Sequence, residues 1–398
     1  MKKEIIKKLF FLTFISIFSV NALSFISVKK NATQEEKTRE QVAESLKNKL
    51  GELENIKQKD KGYLNEGSKF VVKKLIARGG RGAVYKVKVT KYSRRFFRRE
   101  YFFFAVKKLF KPDTDKHDNF AQQVLQSFSH TSKYFLKKYG RTDNGKYEIT
   151  ELGQEELKMR LNKLDFFWSD KRSFKERGLI FREIFFAIKE LHDHGLIHLD
   201  LKPENILIDK KHSIKIIDLD EIKSIHQLNN SFVGTPNYIA PERVIKKRYK
   251  KRGTDKYLTK IKMIESTKAD IYSLGIMLFE SQRFNKDLQT EKTLKKMYWR
   301  CCNKRMKKLG KKPVIDTKMM FFEDTLKLDL NNYQRYNKSQ KIAHHDFVSF
   351  IKKMPQRTTC ESLLQKEYEL ISKMIDPNYK KRIEIDEVIR TWKIIHPN

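Results

Sequence analysis

The stretch HLDLKPENILID, His198 to Asp209, sets an aspartate (Asp200), a lysine (Lys202) and an asparagine (Asn205) at fixed spacing inside a frame of leucine, isoleucine and proline. An aspartate alone in such a run reads as a cap on its own loop, since its carboxylate accepts hydrogen bonds from nearby backbone N–H groups. An ammonium and a carboxamide in register with it change that reading. Charges in an apolar frame need partners or a task, and three complementary polar groups so close together mark a place where charge is handled.

The remainder of the chain bounds what that place can serve. Its 398 residues suffice for one two-lobed domain or two small ones with an ample core. With 39% hydrophobic residues, 12% aromatics and 28 Phe, the composition excludes a disordered chain. The formal charge of +37 is the outlier. It attracts nucleotides, acidic or phosphorylated proteins, nucleic acid and anionic lipid, and says nothing about fold. An AT-rich genome would also enrich lysine and asparagine. No groove-reading motif accompanies the charge, so no specific nucleic-acid partner is expected.

The N-terminus MKKEIIKKLFFLTFISIFSVNALS has four lysines, an apolar run from Leu9 to Val20, and then the small-residue pattern Val20-Asn21-Ala22. This reads as a secretory signal over residues 1–22, whose removal lowers the charge from +37 to +34. The alternative is an uncleaved anchor over residues 9–28, flanked by Lys29 and Lys30. Either way the expected location is the secretory pathway, secreted or lumenal, or held at its membrane. The cysteines, Cys301, Cys302 and Cys360, are too few for a disulfide framework. Asn31, Asn229 and Asn337 head glycosylation triplets.

Thr33 with Glu36 forms a capping box ahead of Val42, Leu46, Leu50 and Leu53 at helical spacing, which predicts a helix over 33–56 that packs on the domain behind it. No tandem repeat or long linker divides the chain. Alternating, aromatic-rich runs dominate to about Leu152 and helical periodicity follows, so a strand-rich lobe should precede a helical one. LIARGGRGAVYKV carries Gly79 and Gly82 between strand-like runs. Glycines there admit phosphate oxygens close to backbone N–H groups, or simply make a tight hairpin. FFFAVKKL puts Lys107 on an apolar strand, where its ammonium needs an anion or points to solvent from an edge.

Taken in order, these motifs resemble those of the protein kinases. His198, Asp200, Lys202 and Asn205 resemble the kinase catalytic loop, Asp218 in IKIIDLDEI its metal-binding aspartate, and GTPNYIAPE, Gly234 to Glu242, the end of its activation segment. KADIYSLGIMLFE resembles the buried helix whose aspartate, here Asp270, ties down the catalytic loop, and Arg382 in DPNYKKRI falls at the ion-pair partner of Glu242. The resemblance implies an α+β, bilobal protein kinase fold over residues 67–398, with an N-lobe over about 67–152 and a C-lobe over about 153–398. A helical extension would occupy 23–66 and a basic insertion about 285–360.

The resemblance also implies roles. Asp200 would orient the attacking hydroxyl and take its proton, Lys202 would hold the γ phosphate, and Thr235 would close the site by bonding to both. Asn205 and Asp218 would bind Mg2+ through hard oxygens. ATP would lie against Ile76, Gly79, Gly80, Gly82 and Val84 of the glycine loop. Ala105 and Lys107 would face its adenine and its α and β phosphates. Thr150 would stand as gatekeeper, with Glu151 and Leu152 in the hinge. The acceptor would be a serine or threonine of a protein substrate, since Lys202 and Thr235 resemble that branch rather than tyrosine kinases. Glu204 would meet a basic substrate residue, whereas KKRYKK, Lys246 to Lys251, would favour an acidic one.

Departures from the family pattern bear on activity. Leu199 replaces the arginine that grips a phosphorylated segment, Leu219 and Asp220 replace Phe-Gly, and Ala77 replaces the first loop glycine. The glutamate partner of Lys107 is missing: counting back from His130, its position is Ala121, beside Gln122 and Gln123, with Asp118 a turn earlier. A working kinase is expected. The alternatives are a nucleotide-binding pseudokinase acting as a binding module, and a small-molecule or glycan kinase, against which GTPNYIAPE argues. Lys292 to Lys312 holds ten Lys/Arg and no acid, interleaved with Tyr298 and Trp299, and would dock on anionic membrane or an acidic partner unless it is only a solvated helix.

Overall fold

The computed structural model describes residues 33–64, 67–79, 82–93, 98–111, 124–125, 132–163, 171–219, 222–225, 234–235, 238–243, 245–250, 257–262, 264–281, 344–345, 348–349, 352 and 359–397. The signal or anchor, Gly80, Asp118, Ala121 to Gln123, His130, Asp220, Lys292–Lys312, Cys301, Cys302 and the glycosylation asparagines Asn31, Asn229 and Asn337 lie outside them. Among the described residues no helix is long and apolar enough to cross a membrane. The chain divides into two compact units, Met1–Gln154 and Glu155–Asn398.

Helix α1, Gln34–Gly51, starts where its cap dictates: Thr33 Oγ1 accepts from the Glu36 N–H at 3.2 Å and Glu36 Oε2 accepts from the Thr33 N–H at 2.9 Å. It is shorter than the expected span to residue 56, and Leu53 packs on the core from beyond its end. Six strands form one sheet in the order β1-β2-β3-β4-β6-β5: Lys61–Tyr63, Lys69–Arg78, Gly82–Ser93, Arg98–Leu109, Lys138–Arg141 (β5) and Tyr147–Glu151 (β6). Side chains alternate across a strand, so one face collects Phe70, Val72, Val87, Val89, Phe102, Phe104, Val106, Tyr147 and Ile149. Val42, Ala43, Leu46 and Leu50 of α1, all fully buried, complete that core. The extension expected over 23–66 thus contributes α1 and β1 to the same core as the sheet.

The second unit is mainly helical. Its principal helices are α2 (Leu157–Lys163), α3 (Lys171–Asp193), α4 (Thr267–Ser281), α5 (Thr359–Met374) and α6 (Ile385–Ile395). Small sheets join β7 (Glu155–Glu156), β9 (Ile206–Ile208) and β10 (Ile214–Ile216), and β8 (Leu196–Ile197) with β11 (Lys223–Ser224). Strands β12 (Ile245–Lys250) and β13 (Tyr257–Lys262) form a hairpin that carries the Lys246 cluster. Helix α4 is buried nearly all round, and a Cβ at Gly275 would stand 2.6 Å from Ile375 Cγ2, so only glycine admits that crossing. Trp392 of α6 meets Phe185 of α3 edge-on at 5.4 Å and donates from Nε1 to the Gly178 carbonyl at 2.9 Å. Charges are buried here in pairs: Arg177 with Glu367 at 2.7 Å, and Lys223 with Glu265 at 2.7 Å.

Candidate active site

The backbone of the His198–Asn205 loop is set from α4. Asp270 is fully buried and accepts from the His198 N–H (Oδ2, 2.9 Å) and the Leu199 N–H (Oδ1, 2.9 Å), with His192 Nε2 a further 2.9 Å from Oδ2. Burial pushes this carboxyl up, but the His192 bond and charge, the His198 charge and its backbone N–H together hold it below the ordinary aspartate value. Leu199 sits at φ 66, a left-handed conformation costly for a leucine, and the Asp270 bond holds it there. A Cβ at Gly234, itself at φ +119, would come within 2.8 Å of the Leu199 carbonyl oxygen, so the segment can pass here only as glycine.

The polar groups predicted from the sequence converge on Asp200. Thr235 Oγ1 donates to Asp200 Oδ1 at 2.7 Å, and Lys202 Nζ donates to Thr235 Oγ1 at 2.9 Å while lying 3.3 Å from Asp200 Oδ2. Asn205 Nδ2 donates to the Asp200 carbonyl at 2.8 Å and to Oδ2 at 3.2 Å. Using its amide nitrogen this way leaves Asn205 its amide oxygen as the acceptor. The Ile217 N–H bonds to the Asn205 carbonyl at 2.9 Å, which places the residue before Asp218 against the loop. Asp218 itself is exposed at φ 58, followed by the buried Leu219. An amide oxygen and a carboxylate are the hard donors a magnesium ion takes while keeping water and phosphate oxygens as its other ligands. That donor set fits the implied ion, and among the described residues no cluster of three or more acidic, His or Cys ligands offers a closed cage instead.

The segment after Gly234 is anchored from below. Arg382, completely buried, donates to both oxygens of Glu242, at 2.6 and 2.9 Å, and to the carbonyls of Lys268 and Asp376. The Tyr238 hydroxyl donates to Glu280 Oε2 at 2.7 Å and the Ser273 hydroxyl donates to the Tyr238 carbonyl at 2.8 Å. Burial first, then the charges of Glu280 and Glu204, push the Tyr238 hydroxyl far up. Glu204 pairs with Lys158 of α2 at 2.6 Å through Oε1, while its Oε2 is buried with no hydrogen-bond partner. Sequence reasoning did not find His192, Tyr238, Ser273 or Glu280, whose relation to the loop exists only in three dimensions.

In the first unit, Ala105 and Lys107 of β4 share a sheet face with Val84 and Thr150, because the register sets Val84 opposite Lys107 and Thr150 opposite Ala105. Glu148 stands directly across from Lys107 on β6, a carboxylate that the sequence reading overlooked; it is buried and lies 3.0 Å from Arg141. Thr150 is buried and donates to the Glu151 carbonyl at 3.2 Å. Glu151 begins the exit from the sheet, exchanging bonds with Lys137 through its N–H and its carboxylate. The Gly79 N–H donates to the Gly82 carbonyl at 2.9 Å, closing the turn between β2 and β3, and Ile76 is half-exposed on β2. Leu152 follows β6 directly.

The family described as "Protein kinase domain" matches residues 70–392. The chain is 37% identical over 97 residues to a cGMP-dependent protein kinase of Plasmodium berghei, covering 24% of this chain and 10% of that protein. It is 30% identical over 175 residues to the serine/threonine-protein kinase ste20 of Aspergillus oryzae (42% of this chain, 18% of that one). It is also 29% identical over 216 residues to the serine/threonine-protein kinase SCH9 of Saccharomyces cerevisiae (53% and 23%). The chain therefore spans less than a quarter of the length of these curated relatives. The family match runs from β2 of the first unit into α6 of the second, leaving out α1 and β1, and the chain belongs to the protein kinase family.

Proposed function

We propose that the protein transfers the γ phosphate of ATP to serine or threonine hydroxyls of protein substrates. The observation that carries this is the closed set of bonds among Asp200, Lys202, Thr235 and Asn205. Asp200, held by its neighbours in one rotamer, accepts the hydroxyl proton as the oxygen bonds to γ phosphorus and the bond to the β–γ bridging oxygen breaks, releasing ADP. Lys202 stabilises the charge spread over the phosphoryl oxygens in transit. Thr235, bonded to both, fixes their spacing for a small alcohol. A magnesium ion held by Asn205 and Asp218 would neutralise phosphate charge. The kinship with serine/threonine kinases supports the acceptor class. The acidic surroundings of Tyr238, Glu204 on one side and Glu280 on the other, support a basic residue near the target hydroxyl, with Lys158 filling the place when none is bound.

The test is transfer of labelled phosphate from ATP with magnesium to serine and threonine peptides, with Asp200→Asn as control. We expect a loss of about a thousandfold or more in the variant, as for a missing general base and its charge. Nucleotide binding with no transfer by the unaltered protein would overturn the proposal in favour of a binding role. In the same assay Glu204→Gln should lower kcat/KM for an arginine-containing peptide and leave a neutral one unchanged. A secretory route is our reading of residues 1–22, and a secreted chain beginning at Leu23 would support it.

A further inference from the structure

The sheet of the first unit has a second face, opposite the one that α1 covers, and the register lays out its rows. Tyr63, Lys69, Thr90 and Tyr101 stand side by side across β1 to β4. The next row is Lys61, Val71, Lys88 and Phe103, and the next is Lys74, Lys86, Ala105 and Thr150. Beyond Tyr101, Tyr92 pairs with Arg99 on the same face. Strands β1 to β3 bring no carboxylate to these rows. Among the described residues Lys61, Lys69, Lys74, Lys86 and Lys88 have no ion-pair partner, whereas elsewhere in the unit Lys47, Lys137 and Lys138 each lie against a glutamate.

These lysines are laid over rings. Lys88 Nζ lies 3.7 Å from the Tyr101 ring centroid, Lys86 Nζ 4.7 Å from that of Phe103, and Lys69 Nζ 6.0 Å from that of Tyr63. Such contacts reduce the freedom of a lysine while leaving its other hydrogens to bond outward. Tyr63, Tyr92 and Tyr101 remain 67%, 56% and 49% exposed.

We propose that this face docks an acidic protein segment in extended conformation. Lys86 and Lys88 are alternate residues of one strand, about 6.8 Å apart, the same repeat at which alternate side chains of an extended peptide point one way. Carboxylates at every second position would therefore meet successive ammonium groups. The arrangement disfavours single-stranded nucleic acid, because base stacking needs free ring faces and here ammonium groups lie over those of Tyr63, Tyr101 and Phe103. It disfavours insertion into a bilayer, since the rows present cations and tyrosine hydroxyls instead of an apolar wedge. The surface lies wholly within the first unit, and its third row runs on to Ala105 and Thr150, the residues expected to face ATP, so a segment docked here would adjoin the nucleotide.

The experiment is fluorescence anisotropy of the purified full-length protein with a labelled twelve-residue peptide of alternating glutamate and threonine. A peptide of the same composition with its glutamates in one block, a labelled thymidine oligonucleotide and phosphatidylserine vesicles serve as competing probes. We expect salt-sensitive binding of the alternating peptide, weakened at least about tenfold by Lys86→Glu/Lys88→Glu and unchanged by Lys37→Glu on the outer face of α1. The melting temperature of each variant checks that the fold persists. Equal weakening by Lys37→Glu would reduce the effect to net charge and overturn the proposal. So would equal affinity for the blocked peptide, or tighter binding of the oligonucleotide or vesicles with the same dependence on Lys86 and Lys88.

Discussion

The two units hold their functional groups by different physics. In the second, charges are buried and paired: Asp270 beneath the His198–Asn205 loop, Arg382 beneath Glu242, Glu367 against Arg177 and His396, Glu265 against Lys223. Such contacts are directional, so they fix positions and tolerate little change. In the first, α1 and one sheet face meet through aliphatic and aromatic side chains, and among the described residues the charges stay at or near the surface except for Glu148, which is buried against Arg141. Packing of that kind is non-directional and accepts many sequences of the right volume. Precision near Asp200 thus rests on buried polar anchors, and the strands bearing Lys107 are supported by a conventional core.

The largest test of this contrast is Arg382→Ala, which leaves the Glu242 carboxylate buried without its cation and should cost about 3–5 kcal/mol in chemical denaturation. Replacing both partners, Glu242→Leu with Arg382→Met, should recover most of that stability while impairing phosphate transfer. Recovery of both would mean that the pair does not position the segment. Leu46→Ala in α1 comes next, at about 3 kcal/mol for a fully buried leucine, with KM for ATP little changed if the first unit is held by volume alone. Thr33→Ala should cost about 1 kcal/mol, because the capping box is exposed and serves only the helix end.

The smallest effect concerns Tyr139 of β5, whose ring meets Phe104 edge-on at 5.4 Å. Burial, resisted by the Arg39 charge and aided by Glu151 and Glu40, pushes its hydroxyl from 10.0 up to about 12. A raised value means that the folded state holds this proton more tightly than the unfolded chain. Its contribution to stability is therefore complete below pH 10 and disappears as the pH climbs through about 12. Melting curves across that window should show a slope that Tyr139→Phe reduces, and an unaltered slope would contradict this account.

The same contrast explains what could be read from the sequence. HLDLKPEN and GTPNYIAPE were legible because chemistry fixes residue types at short, local spacings, and the bonds among Asp200, Lys202, Thr235 and Asn205 join residues at most 35 positions apart. The cap of α1 was legible for the same reason. Glu148 opposite Lys107 was not, because only the register of β4 with β6 brings the two together. Nor was the Arg177–Glu367 pair, whose members lie 190 residues apart in helices that share no motif. The lysine rows were hidden differently. Each strand shows only alternation, and four strands must be aligned before alternation becomes a surface.

The Glu242–Arg382 pair also sets a clock on biosynthesis. The two residues are separated by 140 positions, so the segment after Gly234 emerges with a carboxylate whose cation has not yet been made. At translation rates of about 5–20 residues per second, that carboxylate waits on the order of ten seconds or more for its partner. Until then a nascent chain already carries Asp200, Lys202 and Thr235 but lacks the anchor that seats the segment around them. The proposed activity should therefore appear only once Arg382 has been synthesised.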